Sequence, residues 1–143
     1  MKILIINGPN INFVGIREKG IYGTETYEEI CTRLMDYARE KGIDMEIWQS
    51  NHEGAIIDKI QSIYGTDVKG VVINPGAYTH YSYAIADAIK SIDIPFVEVH
   101  FSDINSREDF RKVSVTKAGC IAQISGFGAE GYFMAVDKIM GLE

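Results

Sequence analysis

Five short apolar runs, separated by stretches with helical periodicity, constrain the fold of this 143-residue chain more than any other feature. The runs are mostly apolar and partly β-branched, which is typical of parallel strands buried on both faces of a sheet. The predicted strands are Lys2–Ile6, Met45–Trp48, Gly70–Ile73, Pro95–Phe101 and Cys120–Ile124.

The segments between these runs carry helix signals. Thr26 and Glu29 form a capping box that predicts the start of a helix, and Gly42 predicts its end. Apolar spacing predicts further helices around residues 56–64, closed by Gly65, and around 84–89 and 132–140. The alternation predicts an α/β fold: a doubly wound, five-stranded parallel sheet in the order 2-1-3-4-5, forming a single domain over residues 1–143.

The charge balance narrows the class of partner. The formal net charge is −6 and no Lys/Arg run occurs, so neither nucleic acid nor an anionic membrane is expected to bind. No apolar run approaches the about 20 residues of a membrane span, and Met1–Asn7 is predicted to be a strand and no signal peptide, which predicts a cytoplasmic protein. Cys31 and Cys120 lack zinc or C-x-x-C spacing and are predicted to lie in the core.

Polar residues cluster where three of the predicted strands end. In such folds ligands bind beyond the carboxyl ends of the strands where the winding reverses, here between the first and third strands. The residues at these ends are Asn7–Asn12 with Arg17 and Tyr22, Asn74–His80, and Glu98–Ser102 with Arg107 and Arg111. This convergence predicts a functional site.

Strand alternation places Glu98 and His100 on the same face of the fourth strand. A carboxylate in a covered strand must be paired or hydrogen-bonded, because burying it bare is too costly. Glu98 either orients His100 for catalysis or forms a buried ion pair without a catalytic part. The sequence leaves both interpretations open.

His80 and the helix after it are predicted to form a binding site for an anion or another polar ligand. Ser82 and the free backbone N–H groups of the first helical turn are expected to face the crevice. Asp87 lies seven residues beyond His80, which predicts nearly the same face, although a solvated helix charge is the alternative.

Arg107 and Arg111 are four residues apart, so they are predicted to share one face of a short helix. Ser106 or Asp109 is expected to cap this helix. The arginines either capture a carboxylate or form an ordinary solvated pair.

Arg17 and Tyr22 belong to a predicted loop that also contains Gly15, Gly20 and Gly23. A free tyrosine titrates near 10, too high for a base at neutral pH, and a close guanidinium lowers that pKa by stabilising the phenolate. The glycines give the loop the freedom that a closing lid needs. The alternative is an ordinary mobile loop with a surface tyrosine.

Several chemistries lack their motifs. Neither a G-x-x-x-x-G-K-[ST] loop nor a G-x-G-x-x-G fingerprint follows the first strand, so no nucleotide is expected. His52, His80 and His100 come from three different loops without short ligand spacing, which leaves a metal possible but unsupported. Only Lys19 lies in the site segments as a Schiff-base candidate. None of these patterns indicates a cofactor.

Four motifs in the same order resemble those of the type II 3-dehydroquinate dehydratases, over essentially the whole chain. They are "NGPNINFVGIREKGIYG", "INPGAYTHYSYAIADAI", "VEVHFSDINSREDFR" and "ISGFGAEGY". The resemblance implies a flavodoxin-like fold and the conversion of 3-dehydroquinate to 3-dehydroshikimate and water in the shikimate pathway, which leads to aromatic amino acids. It also implies anti elimination through an enolate, with no metal and no imine.

The resemblance further implies a role for each motif residue. Tyr22 would take the C2 proton, Arg17 would hold Tyr22 as phenolate, and Asn10 would stabilise the enolate. His100 would protonate the departing C1 hydroxyl, with Glu98 orienting the site. The residues implied to bind the substrate are Asn74, His80, Asp87, Arg111 and the backbone of Phe101 and Ser102, with Arg107 in support.

The resemblance implies one small-molecule partner, 3-dehydroquinate, and a homododecamer made of four trimers. Two alternatives stay open. A non-catalytic flavodoxin-like module for a small carboxylic acid would keep Asn74, His80 and Arg111 without needing Arg17 and Tyr22. A small metal-dependent lyase would use His80 and His100.

Overall fold

The computed structural model of the protein describes residues 1–16 and 24–142. Within these residues the chain forms a parallel sheet of five strands in the order β2-β1-β3-β4-β5, which confirms the predicted topology. The strands are β1 (Lys2–Asn7), β2 (Asp44–Gln49), β3 (Val68–Asn74), β4 (Phe96–His100) and β5 (Ala122–Ser125). The α-helices of the same residues are α1 (Tyr27–Lys41), α2 (Glu53–Ser62), α3 (Tyr83–Lys90) and α4 (Glu130–Met140). No helix in this described part is long and apolar enough to cross a membrane.

The predicted capping box at the start of α1 is confirmed. The Glu29 N–H donates to the Thr26 hydroxyl at 3.2 Å, and the Thr26 N–H donates to the Glu29 carboxylate at 3.0 Å. Gly42 closes the helix with a φ of +68°, a conformation that costs glycine little. Both ends of α1 are therefore set by residues next to them in sequence.

Some predicted boundaries are wrong, among them the end of α2 and the start of β5. Helix α2 ends at Ser62, earlier than predicted, and Tyr64 is 80% exposed in the turn that Gly65 completes with a φ of +76°. The fifth strand begins at Ala122, because Cys120 caps the carboxyl end of the 3₁₀ helix Lys117–Gly119 before it. The Cys120 N–H donates to the Lys117 carbonyl at 2.9 Å.

The sheet is buried on both faces, so alternate residues of each strand enter different apolar layers. Ile3 and Ile5 of β1 pack in the layer of α1 and α4, whereas Leu4 and Ile6 pack in the layer of α2 and α3. The same alternation holds along β4 and the residue after it: Val97, Val99 and Phe101 lie in the first layer and Phe96 in the second. The close packing of both layers gives the strand ends a fixed position.

The register of the sheet brings the site segments together. Asn7, the last residue of β1, pairs with Gln49 of β2 on one side and with Asn74 of β3 on the other. Ile73 of β3 pairs with Glu98 of β4. The carboxyl ends of β1, β3 and β4 therefore lie side by side at one edge of the sheet.

Candidate active site

The carboxyl ends of β1, β3 and β4 surround a cavity of about 120 Å³, at the predicted reversal of the winding. Glu98 lies beneath it and bonds to one of its lining residues. The predicted site residues that line the cavity are Asn10, Asn74, His80, His100, Phe101, Ser102, Arg107 and Arg111.

The loops after β1 and β3 lie in backbone contact at the base of the cavity. The Gly8 N–H donates to the Asn74 carbonyl at 2.8 Å, and a Cβ on Gly8 would stand 2.5 Å from the Pro75 carbonyl oxygen. Gly76 has a φ of +61°, and a Cβ there would stand 2.9 Å from the Pro9 carbonyl oxygen. Asn10 is the one described non-glycine residue with positive φ, at +68°, which asparagine tolerates better than most residues.

Glu98 and His100 form a buried pair. The carboxylate of Glu98 is fully buried, and it accepts a hydrogen bond of 2.9 Å from His100 Nε2. Burial alone would raise the pKa of Glu98, but the hydrogen bond and charge of His100, with bonds from Thr116 and Gln123, lower it to about 2. Because Nε2 is directed at a carboxylate, Nδ1 is the His100 nitrogen available to the cavity.

A cradle of hydroxyl and amide groups completes the bonding of Glu98. Ser114 Oγ donates to it at 2.7 Å, Gln123 Nε2 donates at 2.7 Å, and the Thr116 hydroxyl donates to the other oxygen. The Thr79 hydroxyl lies 2.9 Å from that of Ser114 and 2.6 Å from that of Thr116, and its single hydrogen donates to one of them. Sequence reasoning predicted that Glu98 must be paired but missed this hydroxyl cradle; the alternation of Ser114 and Thr116 was the available signal.

His80 presents a defined tautomer to the cavity. Its Nδ1 lies 2.7 Å from the Val113 carbonyl, which can only accept, so Nδ1 carries a proton and Nε2 has the free lone pair in the neutral ring. Burial lowers the pKa of His80, and the neighbouring His100 and Arg111 lower it further, against the raising effect of the Val113 carbonyl. The lowered pKa favours the neutral ring, in which Nε2 is a hydrogen-bond acceptor.

Arg107 and Arg111 both line the cavity, although the predicted short helix is wrong. The segment forms two 3₁₀ turns, Ile104–Ser106 and Asp109–Arg111, and Arg107 is extended between them. Asp103 caps the first turn, in place of the predicted Ser106 or Asp109. Arg111 Nε lies 3.0 Å from a Glu108 oxygen, and Arg107 Nη1 donates to the Ser102 hydroxyl at 3.2 Å. Two guanidinium groups are thus held at the cavity wall.

Asp87 and Ser82 do not line the cavity. The predicted common face of His80 and Asp87 is wrong, because His80 ends a 3₁₀ helix and α3 begins only at Tyr83. Asp87 is exposed on α3. Ser82, predicted to face the crevice, caps α3 by accepting from the Ile85 N–H at 3.1 Å and donates to Glu53.

Arg17 and Tyr22 lie outside the described residues. Among the tyrosines of the described part, Tyr27 and Tyr132 lie below the cavity and bond to the asparagines at the strand ends. Burial raises the pKa of both phenols far above the ordinary value. Neither is a phenolate at neutral pH.

The chemical capacity of the cavity follows from its side chains. A histidine backed by a carboxylate can transfer a proton, guanidinium groups bind carboxylates, and amides and a neutral histidine bind hydroxyls. Within residues 1–16 and 24–142, no group of three or more His, Cys, Asp and Glu side chains is placed to hold a metal ion. The arrangement suits a small hydroxylated acid.

Comparison with known proteins shows which family the chain resembles. Residues 1–140 match the family model described as "Dehydroquinase class II". The crystal structure of type II dehydroquinase from Butyrivibrio crossotus is 57% identical with a TM-score of 0.97, covering 98% of this chain and 97% of that one. That of type II dehydroquinase from Propionibacterium acnes is 41% identical with a TM-score of 0.94, covering 98% and 96%. The 3-dehydroquinate dehydratase of Clostridium acetobutylicum is 58% identical, covering 99% of this chain and 98% of that protein.

The fold and the cavity define a flavodoxin-like α/β protein whose polar site lies at the reversal of its winding. The matches over nearly the whole chain are more specific. The chain belongs to the class II dehydroquinase family, which confirms the resemblance seen in its motifs.

Proposed function

We propose that this chain is a hydro-lyase, a 3-dehydroquinate dehydratase of the shikimate pathway. Its family membership and the similar proteins that carry this name support the proposal. The observation in the structure that carries it is the buried Glu98–His100 pair, which opens onto a cavity with two guanidinium groups. Residues 1–143 would act as a single catalytic domain.

In the proposed reaction His100 is the general acid. Its Nε2 is bonded to Glu98 at 2.9 Å, so the ring is held in one orientation. In the imidazolium form Nδ1 also carries a proton, which it donates to the C1 hydroxyl. The C1–O bond breaks as the electron pair of the enolate moves into the new C1–C2 double bond. The proton from His100 completes the departing water.

We propose Tyr22 as the base that takes the C2 proton, with Arg17 holding it as phenolate. Supporting this, the raised pKa values exclude Tyr27 and Tyr132 from that role. Gly15 and Glu25 lie on either side of Arg17 and Tyr22 in the sequence, and their backbones are in contact. A Cβ on Gly15 would stand 2.5 Å from the Glu25 carbonyl oxygen. Asn10 would stabilise the enolate oxygen from the cavity wall.

The remaining cavity residues are proposed to bind the substrate. Arg111, with Arg107 in support, supplies positive charge for an anionic substrate, and His80 Nε2 accepts a hydrogen bond from a substrate hydroxyl. The Asn74 amide binds a second hydroxyl, and the backbone at Phe101 and Ser102 binds the carboxylate. No metal, cofactor, nucleic acid or membrane takes part in this proposal, and the compartment is the cytoplasm.

We propose that the chain assembles as a homododecamer, a tetramer of trimers. Exposed apolar side chains near the cavity and on α3 support burial between copies. A substrate contact from Asp87 requires a neighbouring copy, because Asp87 lies outside the cavity of its own chain. The exposed apolar residues are Tyr81, Tyr83, Phe110 and Val113.

The test is the conversion of 3-dehydroquinate by the purified, chelator-treated protein, with the new vinyl proton of the product followed by NMR. His100→Gln keeps a side chain that can bond to Glu98 and should lower kcat by about a hundredfold or more without changing the Kd for 3-dehydroquinate. The exposed His52→Gln is the matched control. Binding without turnover by the wild type would leave the acid-binding module, and loss of turnover with chelator would favour the metal-dependent lyase.

A further inference from the structure

A buried chain of hydrogen bonds connects the ends of β1 and β3 to α4. Tyr132, from the "GFGAEGY" motif, lies under the two asparagines that pair at the strand ends. Its hydroxyl donates to Asn7 Oδ1 at 2.6 Å and accepts from Asn74 Nδ2 at 3.1 Å. The three side chains are at most 2% exposed, so water does not offer them alternative partners.

The order of donors and acceptors in this series of hydrogen bonds is fixed at one end by a backbone N–H. The Gly76 N–H donates to Asn74 Oδ1 at 3.2 Å, and a backbone N–H cannot accept. The Asn74 amide must therefore turn Nδ2 toward Tyr132. A tyrosine hydroxyl has a single hydrogen, so after accepting from Asn74 it donates to Asn7.

The series of hydrogen bonds continues from Asn7 to Tyr27 of α1. With its oxygen turned to Tyr132, the Asn7 amide directs Nδ2 to the Tyr27 hydroxyl at 3.3 Å, and that hydroxyl is bonded in turn to the Cys31 sulfur. The ring of Tyr132 packs edge-on against Phe101 with centroids 5.6 Å apart. A single arrangement thus gives each side-chain nitrogen and oxygen along this series a hydrogen-bond partner.

We propose that Tyr132 is a positioning residue that fixes the Asn74 amide in the one orientation suited to the substrate. Asn74 lines the cavity, and its bonds to Tyr132 and Gly76 leave one N–H and one lone pair for a ligand. This inference rests on the proposed function for the identity of that ligand, a substrate hydroxyl. The motif around Tyr132 thereby serves the site although Tyr132 does not line the cavity.

Two variants test the proposal. Tyr132→Phe removes the hydroxyl and keeps the ring on Phe101. Asn7→Leu removes the acceptor of the Tyr132 proton, so that the hydroxyl is free to donate to Asn74 and turn its amide. Each should raise the KM for 3-dehydroquinate by about tenfold, with kcat within roughly threefold of the wild type, because a misdirected buried amide loses about one hydrogen bond to the substrate.

Two controls separate positioning from stability. Tyr37→Phe removes a phenolic hydroxyl that bonds to Asp137 on the exposed side of α1 and α4. Val136→Ala creates a small cavity in the core on the same helix as Tyr132. Both should keep the wild-type KM, and Val136→Ala should do so with a lowered melting temperature.

Crystal structures of the wild type and Tyr132→Phe provide a readout that needs no turnover. The expected result is a displacement of the Asn74 side chain in the variant, away from its wild-type position beside Tyr132 and the Gly76 N–H. A folded Tyr132→Phe protein with a wild-type KM overturns the proposal, as does an unchanged Asn74 side chain in its crystal structure. If the wild type itself does not dehydrate 3-dehydroquinate, the proposed function fails. The position of Asn74 in the two crystal structures then tests the role of Tyr132 by itself.

Discussion

Replacing Thr116 by valine should destabilise the protein through Glu98. Valine has nearly the shape of threonine but cannot donate to the buried carboxylate, which would keep three of its four donors. A buried charge deprived of one hydrogen bond costs about 2 kcal/mol. For a chain of this size, that corresponds to a fall of roughly 6–10 °C in melting temperature.

The effect should depend on pH in a defined direction. The folded protein lowers the pKa of Glu98 from 4.5 to about 2. That difference contributes about 3 kcal/mol of stability above pH 4.5, which is lost as the pH falls toward 2. Thr116→Val raises the folded pKa, so its destabilisation should be full at pH 7 and smaller at pH 3.

Urea denaturation at pH 7, 5, 4 and 3, at one protein concentration, measures both quantities. Thr32→Val is the matched control, since Thr32 is exposed on α1 and bonds only to the Glu28 carbonyl. Its free energy of unfolding should change by less than about 0.5 kcal/mol. The reasoning is refuted if Thr116→Val has the same free energy of unfolding as the wild type at pH 7. It is also refuted if the difference between them is no smaller at pH 3 than at pH 7.

Two further substitutions test the backbone contact and the guanidinium geometry at the cavity. Gly8→Ala should cost about 2 kcal/mol in urea denaturation, because its Cβ would stand 2.5 Å from the Pro75 carbonyl oxygen, whereas Gly54→Ala in α2, where no atom lies within 4 Å, should be neutral or stabilising. Arg111→Lys keeps the charge but loses the planar fork, and should raise the KM for 3-dehydroquinate about tenfold in steady-state kinetics. Equal stability of the two glycine variants, or an unchanged KM, would contradict these expectations.

The sequence predicted those features that depend on neighbouring residues or on strict periodicity. The capping box at Thr26 and the glycine end at Gly42 are local, and both are confirmed. The sheet order followed from the alternation of strands and helices, and with it the place of the cavity. The common face of Glu98 and His100 needed only the period of a strand.

What the sequence could not predict depends on tertiary contacts or on breaks in a helical period. The hydroxyl cradle reaches Glu98 from residues 16 and 18 positions away, so no local pattern connects them. The predicted alignment of Asp87 with His80 assumed a continuous helix. Tyr81, with a φ of −152°, interrupts it. Arg107 breaks the next segment in the same way, yet the short turns still bring Arg107 and Arg111 to one cavity.

The most direct test of the proposed dehydration mixes chelator-treated protein with 3-dehydroquinate. It measures the initial rate at which the ultraviolet absorbance of the conjugated enone product increases. The account predicts a steady rise for the wild type and for the exposed-residue control Tyr64→Phe. It predicts a rate lowered by about a hundredfold or more in Tyr22→Phe, since a positioned base contributes on that order. A folded wild type that produces no enone, or a Tyr22→Phe variant as fast as the wild type, would contradict it.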